Sequence, residues 1–179
     1  MSTISVVAGT GRGPTAIASY DAALAAAGVH GYNLVRVSSV IPAGSSVERR
    51  DVAPDLGPVG GKLTVVEARA TIEARAADAA GSVTGSAATD DAEPDTAAAC
   101  AGLGWSVDDD GRGIFYEASS TERATVRETI EAGLAAGREL REWSFVDDRV
   151  VIETADATAG RGFVTAVVLA AYGEAEPIL

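Results

Sequence analysis

Apolar residues recur along the chain in the short runs and alternations that β-strands produce. Between Lys62 and Ala74, apolar and polar positions interleave, and two more apolar runs lie near the C-terminus. Such runs, bounded by turn residues, predict strands at 5–8, 33–42, 62–74, 83–88, 113–118, 145–154 and 162–172. No βαβ unit repeats among them, so the pattern favours an α+β sandwich over a Rossmann fold.

Two helices are predicted among these strands. The first covers 14–27, with Pro14 suited to its first position and Gly28 to its end. Within it, Ile17, Asp21 and Leu24 are spaced by four and three residues and therefore share one face. Ile17 and Leu24 predict that this face is buried, which places the Asp21 carboxylate among apolar groups. A carboxylate there requires a partner, and a structural ion pair with an arginine is the simplest one.

The second helix is predicted from Ser119 to about Trp143. Ser119 and Glu122 have the spacing of a capping box at its beginning. An apolar stripe along this helix predicts that it covers one face of a sheet.

Three polar or glycine-rich segments are predicted to be turns or loops. Gly9–Pro14 follows a strand as a phosphate-binding loop would, but it lacks the Lys-Ser/Thr ending and the G-x-G-x-x-G spacing. Asp108–Gly111 lacks the alternating ligands of a calcium loop, so we expect no metal there. The stretch 43–61 is expected to be a long exposed loop.

Composition removes several classes of protein. The chain has 179 residues and a net charge of −12, which disfavours binding to nucleic acid. With one cysteine, one histidine and one lysine (Cys100, His30 and Lys62), it cannot form an internal disulfide or a Cys/His zinc cluster from one protomer. The acidic, arginine-biased charge is typical of an extreme halophile. No basic leader or membrane-spanning run is present, so a soluble cytoplasmic protein is expected.

The segment Asn33–Pro42 contains two adjacent serines, Ser38 and Ser39. A proline forces the preceding residue into extended geometry, so the chain should stay extended at Ile41 and turn after it. Taken alone, a serine pair at a strand end is an ordinary turn. The whole segment, however, resembles the self-cleavage segment of the pyruvoyl-dependent arginine decarboxylases. Tyr116-Glu117 likewise resembles the Tyr-Glu pair in which that family carries its catalytic glutamate.

The resemblance implies a proenzyme that cuts itself between Ser38 and Ser39. Ser39 Oγ would attack the Ser38 carbonyl while the Asn33 amide stabilises the oxyanion. Ser39 would then become a pyruvoyl group, the cofactor. A single domain, 1–179, would give a β chain of residues 1–38 and an α chain of residues 39–179.

The same resemblance implies that L-arginine is decarboxylated to agmatine, a polyamine precursor. The pyruvoyl group would accept electrons as pyridoxal phosphate does, and Glu117 would supply the replacing proton. Asp21 would pair with the substrate guanidinium, near Leu24 and Tyr32. The family also implies four layers, α-β-β-α, and a homo-oligomer, expected to be a trimer with sites between subunits.

Two other functions stay open. The chain could be a small-molecule-binding oligomer on the same fold that never cleaves, with the serines serving only as a turn. It could also be a pyruvoyl decarboxylase of a different amino acid.

Overall fold

The computed structural model describes residues 2–74, 98–157 and 160–179, which contain nine strands and two helices. In chain order they are β1 (Ser2–Gly13), α1 (Ala16–Ala27), β2 (Asn33–Arg36), β3 (Val40–Ile41), β4 (Ser45–Arg49), β5 (Lys62–Ala74), β6 (Ala98–Asp108), β7 (Gly113–Ser120), α2 (Arg123–Glu139), β8 (Phe145–Asp156) and β9 (Gly162–Tyr172). Of the predicted strands, 83–88 lies outside the described residues.

The strands form two sheets. The first has the order β2-β5-β9-β1-β4 and the second the order β3-β7-β6-β8. Among the described strands, β1–β4 and β2–β5 are parallel pairs, and the other pairs are antiparallel. The prediction of an α+β fold with mainly antiparallel sheets is confirmed.

Buried apolar residues form three clusters. The largest contains residues of both sheets, including Val66 from β5, Leu103 from β6 and Phe115 from β7. A second joins α1 to the first sheet through residues such as Leu24, and a third joins α2 to the second sheet through residues such as Ile130. Burial of these side chains at about 25 cal/mol per Å² is the main force that holds the elements together.

The glycines predicted to form a turn after a short strand instead continue that strand. β1 extends to Gly13, and α1 lies directly on it. A Cβ atom at Gly9 would stand 2.3 Å from the Ala23 carbonyl oxygen, and one at Gly11 would stand 2.3 Å from Ser19 O. Glycine is therefore required because the backbones of strand and helix approach closely, and the prediction of a turn was wrong.

The predicted buried face of α1 was right for Leu24 and wrong for Ile17 and Asp21. Ile17 is 79% exposed and Asp21 is exposed, whereas Ser19, Ala23, Leu24 and Ala27 are buried. The glycine-bearing strand admits alanines and a serine beneath the helix, which turns the larger Ile17 outward. Thr15 caps the helix by accepting a hydrogen bond from Ala18 N at 3.1 Å.

Two further boundaries differ from the predictions. α2 begins at Arg123 and not at Ser119, because Ser119 belongs to β7. Glu122 is the N-cap residue, but its side chain makes no capping hydrogen bond. The stretch 43–61, predicted to be a loop, contains β4, which pairs in parallel with β1 from Ser2↔Ser45 onward. No helix among the described residues has the length and apolar character needed to cross a membrane.

Candidate active site

The serine pair lies where the chain crosses from one sheet to the other. β2 ends at Arg36 on the edge of the first sheet, and β3 begins at Val40 on the edge of the second. The Val40 amide donates to the Ser38 carbonyl oxygen at 2.9 Å, which bends the chain between them. The prediction of one continuous buried strand over 33–42 was therefore wrong, since a strand cannot pair in both sheets. Of its apolar residues only Ile41 is fully buried.

Ser39 is held against the end of β7. Its hydroxyl donates a hydrogen bond to Glu117 Oε2 at 2.8 Å, and its carbonyl oxygen accepts one from the Phe115 amide at 2.8 Å. The register of β3 on β7, with Val40 opposite Ile114, produces both contacts. Two segments that are distant in the sequence, Ser38-Ser39 and Tyr116-Glu117, thus come together.

Tyr172 fixes the next peptide. Its hydroxyl donates to the Val40 carbonyl oxygen at 3.0 Å, and its ring meets the Phe115 ring edge-on at 6.1 Å between centroids. Burial, and then the negative charge of Glu117, raise the pKa of Tyr172, so the phenol keeps its proton and remains a donor. Sequence reasoning did not single out this residue, which ends an apolar strand.

A cavity of about 470 Å³ opens beside the serines. Its walls come from the crossing, from β7 and from the end of α2 (Ser38, Ser39, Val40, Ile114, Phe115, Tyr116, Glu117, Gly137, Leu140 and Arg141). A second cavity, of about 320 Å³, is lined by residues that include Arg36, Glu67, Arg69 and Glu117. Glu117 therefore borders both cavities.

The other predicted site residues do not line the cavity beside the serines. Asn33 donates from Nδ2 to the Gly60 carbonyl oxygen at 2.6 Å. The Tyr32 hydroxyl accepts from the Leu56 amide at 3.1 Å, so both residues anchor the segment before β5.

The two predicted site residues on α1 have different environments. Leu24 is buried between α1 and the first sheet, whereas Asp21 is exposed. The described chain brings Ser38, Ser39 and Glu117 together, but it does not place Asp21, Leu24, Tyr32 or Asn33 in the wall of the same cavity.

Arg36, just before the serines in the chain, pairs with a buried carboxylate. Glu67 Oε2 accepts hydrogen bonds from Arg36 Nε at 2.8 Å and Nη2 at 2.7 Å, and the Glu67 side chain is 0% exposed. Burial, and then the neighbouring Glu67, raise the pKa of Tyr20 to about 12. The Arg69 guanidinium stacks 4.5 Å from the centre of the Tyr20 ring. These partners could not be found from the sequence, since they depend on how β2 and α1 meet β5.

A family model and two curated relatives that match this chain point to the same family. The family model for pyruvoyl-dependent arginine decarboxylase matches residues 3–94 and 81–177. Proteins from two strains of Halobacterium salinarum, R1 and NRC-1, each named pyruvoyl-dependent arginine decarboxylase, are 44% identical over 179 residues. The match covers 99% of this chain and 98% of each relative.

A decarboxylase, and therefore a carbon–carbon lyase, is the class of enzyme that these matches define. The chain belongs to the pyruvoyl-dependent arginine decarboxylase family. The cofactor of such an enzyme is a covalently bound pyruvoyl group. The resemblance on which the sequence prediction relied is confirmed.

Proposed function

We propose that this chain cuts itself between Ser38 and Ser39, converts Ser39 into the pyruvoyl group and decarboxylates L-arginine to agmatine. One observation supports this most directly. A serine hydroxyl, 2.8 Å from a carboxylate oxygen, lies in a crossing segment beside a cavity large enough for an amino acid. The residues present therefore fit the cofactor: Ser39 would supply its carbon skeleton, and Glu117 would stand next to it.

Self-cleavage would begin with the attack of Ser39 Oγ on the Ser38 carbonyl carbon. The amide becomes an ester, and a fixed donor near the oxyanion would stabilise the step. We assign that role to the Asn33 amide. Residues 33–36 form β2, and at about 3.3 Å per residue a strand of this length carries Asn33 roughly 10 Å or more from the serines. The Asn33 that serves a given serine pair would therefore belong to a neighbouring copy.

A homo-oligomer, which we propose to be a trimer, would complete each site. Val37, Val40, Tyr116 and Leu140, at the crossing or in the cavity wall, are 39–83% exposed. Apolar groups clustered at such a site are typical of a surface that another protein covers. Asp21, Leu24, Tyr32 and Asn33 of one copy would then meet Ser39 and Glu117 of the next.

In the assembled site, each side chain would have a separate task. The pyruvoyl group, when present, draws electrons away from the substrate α-carbon so that carbon dioxide can leave. Asp21 would bind the substrate guanidinium bidentately, and Tyr32 would flank its aliphatic part, with Leu24 supporting this wall from beneath α1. Glu117 would deliver the proton that replaces the lost carboxylate.

The two chains produced by the cut, 1–38 and 39–179, would stay together as one domain. β1 lies between β9 and β4 in the first sheet, with ten residue pairs in its register with β9. The cluster between the sheets and the two clusters under the helices support a stack of four layers, α-β-β-α.

We also propose that the enzyme works at high salt. The net charge of −12 and the single lysine match an acidic halophilic surface, and the relatives named above come from Halobacterium. Dissolved salt would screen the repulsion among these carboxylates.

Mass spectrometry of the denatured protein tests the cleavage. The wild-type chain and Ser46→Ala, a serine control outside the crossing, are expected to give two fragments, whereas Ser39→Ala stays whole. A single full-length species in the wild type would contradict self-cleavage and favour a binding oligomer. Assays with a panel of amino acids at high salt test the substrate, and faster release of an amine other than agmatine would contradict the choice of arginine.

A further inference from the structure

Arg141 lines the cavity beside the serine pair. Of the ten described residues that line this cavity, Arg141 is the only one with a positive charge, and Glu117 is the only one with a negative charge. Arg141 Nη1 donates to the Gly137 carbonyl oxygen at 2.6 Å, which ties the guanidinium to the last turn of α2. This bond holds the guanidinium close to the end of α2.

Arg141 pairs with no carboxylate of the described residues. Its guanidinium lies 5.3 Å from the centre of the Trp143 ring, and that of Arg112 lies 4.6 Å from the same centre. Arg112 already has a counter-charge, since its Nη2 is 2.7 Å from Asp108 Oδ2. Arg141 bonds instead to a neutral carbonyl and thus retains the capacity to bind an anion.

Self-cleavage, on which this inference rests, creates an anion in that cavity. After Ser39 Oγ has attacked, the bond from Ser38 C to Ser39 N breaks, an ester bond forms and the hydroxyl proton passes to the nitrogen. Ser39 then loses its α-proton to water, and its Cβ–Oγ bond breaks. Ser38 leaves as a carboxylate that now contains Oγ, and residue 39 keeps a carbon–carbon double bond that water converts to pyruvoyl with release of ammonia.

The new carboxylate arises next to a group of the same charge. The oxygen that becomes part of it lies 2.8 Å from Glu117 Oε2 before cleavage. Two carboxylates at that separation repel strongly, and a nearby cation relieves the repulsion. We propose that Arg141 binds the carboxylate that Ser38 acquires and thereby accelerates its departure from Ser39.

Pulse-labelled chains followed at high salt test this proposal without substrate. We expect Arg141→Gln to complete cleavage about tenfold to hundredfold more slowly, because it lacks a charge-assisted hydrogen bond to the leaving group. Arg141→Lys should recover part of the rate. Arg138→Gln, which removes an arginine from the last turn of α2 that pairs with Asp148, should cleave normally.

Hydroxylamine, which splits esters, distinguishes this role from a structural one. The uncut Arg141→Gln chain should accumulate the ester and yield fragment 1–38 on treatment. An uncut chain that resists hydroxylamine would place Arg141 before ester formation and overturn the proposal. Normal cleavage in Arg141→Gln would overturn it too. If that variant also had a raised KM for L-arginine and unchanged inhibition by agmatine, Arg141 would bind the substrate carboxylate instead.

The wild-type enzyme offers a measurement that does not depend on the folding of a variant. Serine labelled with ¹³C at the carboxyl carbon gives one terminal carboxylate signal, that of Ser38 in the cleaved chain. We expect it to titrate below the usual α-carboxyl range of about 3.3–3.7, and titration within or above that range would contradict the pairing. A wild-type chain that never yields the signal would refute self-cleavage itself.

Discussion

Removal of Arg36 from its pair with the buried Glu67 carboxylate should destabilise the protein strongly. The Glu67 side chain is 0% exposed, and among the described residues its Oε1 has no hydrogen-bond partner, so Arg36 at Oε2 supplies the positive charge that compensates it. Arg36→Met keeps an unbranched apolar stem but removes the guanidinium and its charge. The Glu67 carboxylate, whose side chain is buried, would then remain without its cation.

The expected loss of stability follows from how exposed the Arg36 and Glu67 side chains are. Breaking a buried pair by removing one partner costs about 3–5 kcal/mol. Because the Arg36 side chain is 56% exposed, water already weakens the attraction, and we expect a loss at the lower end, about 3 kcal/mol. For a chain of this size each kcal/mol lowers the unfolding temperature by about 2–4 °C, so Arg36→Met should unfold about 6–12 °C earlier.

Two companion variants isolate the cause. Glu67→Gln leaves a cation that can still reach water, and it should cost only about 1 kcal/mol. Arg36→Met/Glu67→Leu removes both charges and should recover most of the stability of the wild type. All of these would be measured by thermal and denaturant unfolding in a Ser39→Ala background, so that cleavage does not differ among them. The reasoning would be refuted if Arg36→Met unfolded within 2 °C of its parent, or if the double variant were as unstable as the single one.

Three shorter predictions concern separate parts of the molecule. Glu117→Gln should still cleave but decarboxylate at least about 100-fold more slowly, and unchanged turnover would remove Glu117 from the site. Gly11→Ala should lower the free energy of unfolding by about 1–3 kcal/mol, since the new Cβ would stand 2.3 Å from the Ser19 carbonyl oxygen. Thr10→Ala, at an exposed neighbour, should change it little, and equal losses would argue against the close contact. The folded-state pKa of Tyr20 is raised to about 12 from 10.0, so the stability that its protonated phenol contributes is complete below pH 10 and is lost as the pH rises towards 12. In denaturant unfolding, Tyr20→Phe should therefore lose less stability than the wild type over this pH range. Equal losses in the two proteins would contradict the assigned shift.

Local pattern was enough to predict most strands. β5 occupies the range expected from its alternating residues, and β9 occupies the range expected from its apolar run. Both signals are local, since most apolar positions of β5 and nearly all of those of β9 are buried. The errors came where a residue type has several uses. The glycines of β1 can form a turn or admit a helix, and only the position of α1 decides between them.

Some residues of the candidate site could also be predicted from the sequence, and others could not. Ser39 and Glu117 could be paired in advance because the resemblance supplies two short motifs, and β3 and β7 do bring them within 2.8 Å. Tyr172, Glu67 and Arg141 carry no local signal, since each gains its meaning from contacts across sheets or at a helix end. The positions of Asp21 and Asn33 relative to Ser39 depend on a second copy under our proposal, and one chain cannot specify them.

The position of the serine pair in the topology explains how a chain could be cut there without unfolding. The peptide between Ser38 and Ser39 joins two sheets and belongs to neither, so the cut removes no ladder hydrogen bond. On the N-terminal side, β1 stays between β9 and β4, and β2 stays on β5. On the other side, Phe115 holds the Ser39 carbonyl and Tyr172 holds the next one. The two chain ends that a cut creates would therefore be anchored separately. Only the few atoms around the cut bond would gain conformational freedom.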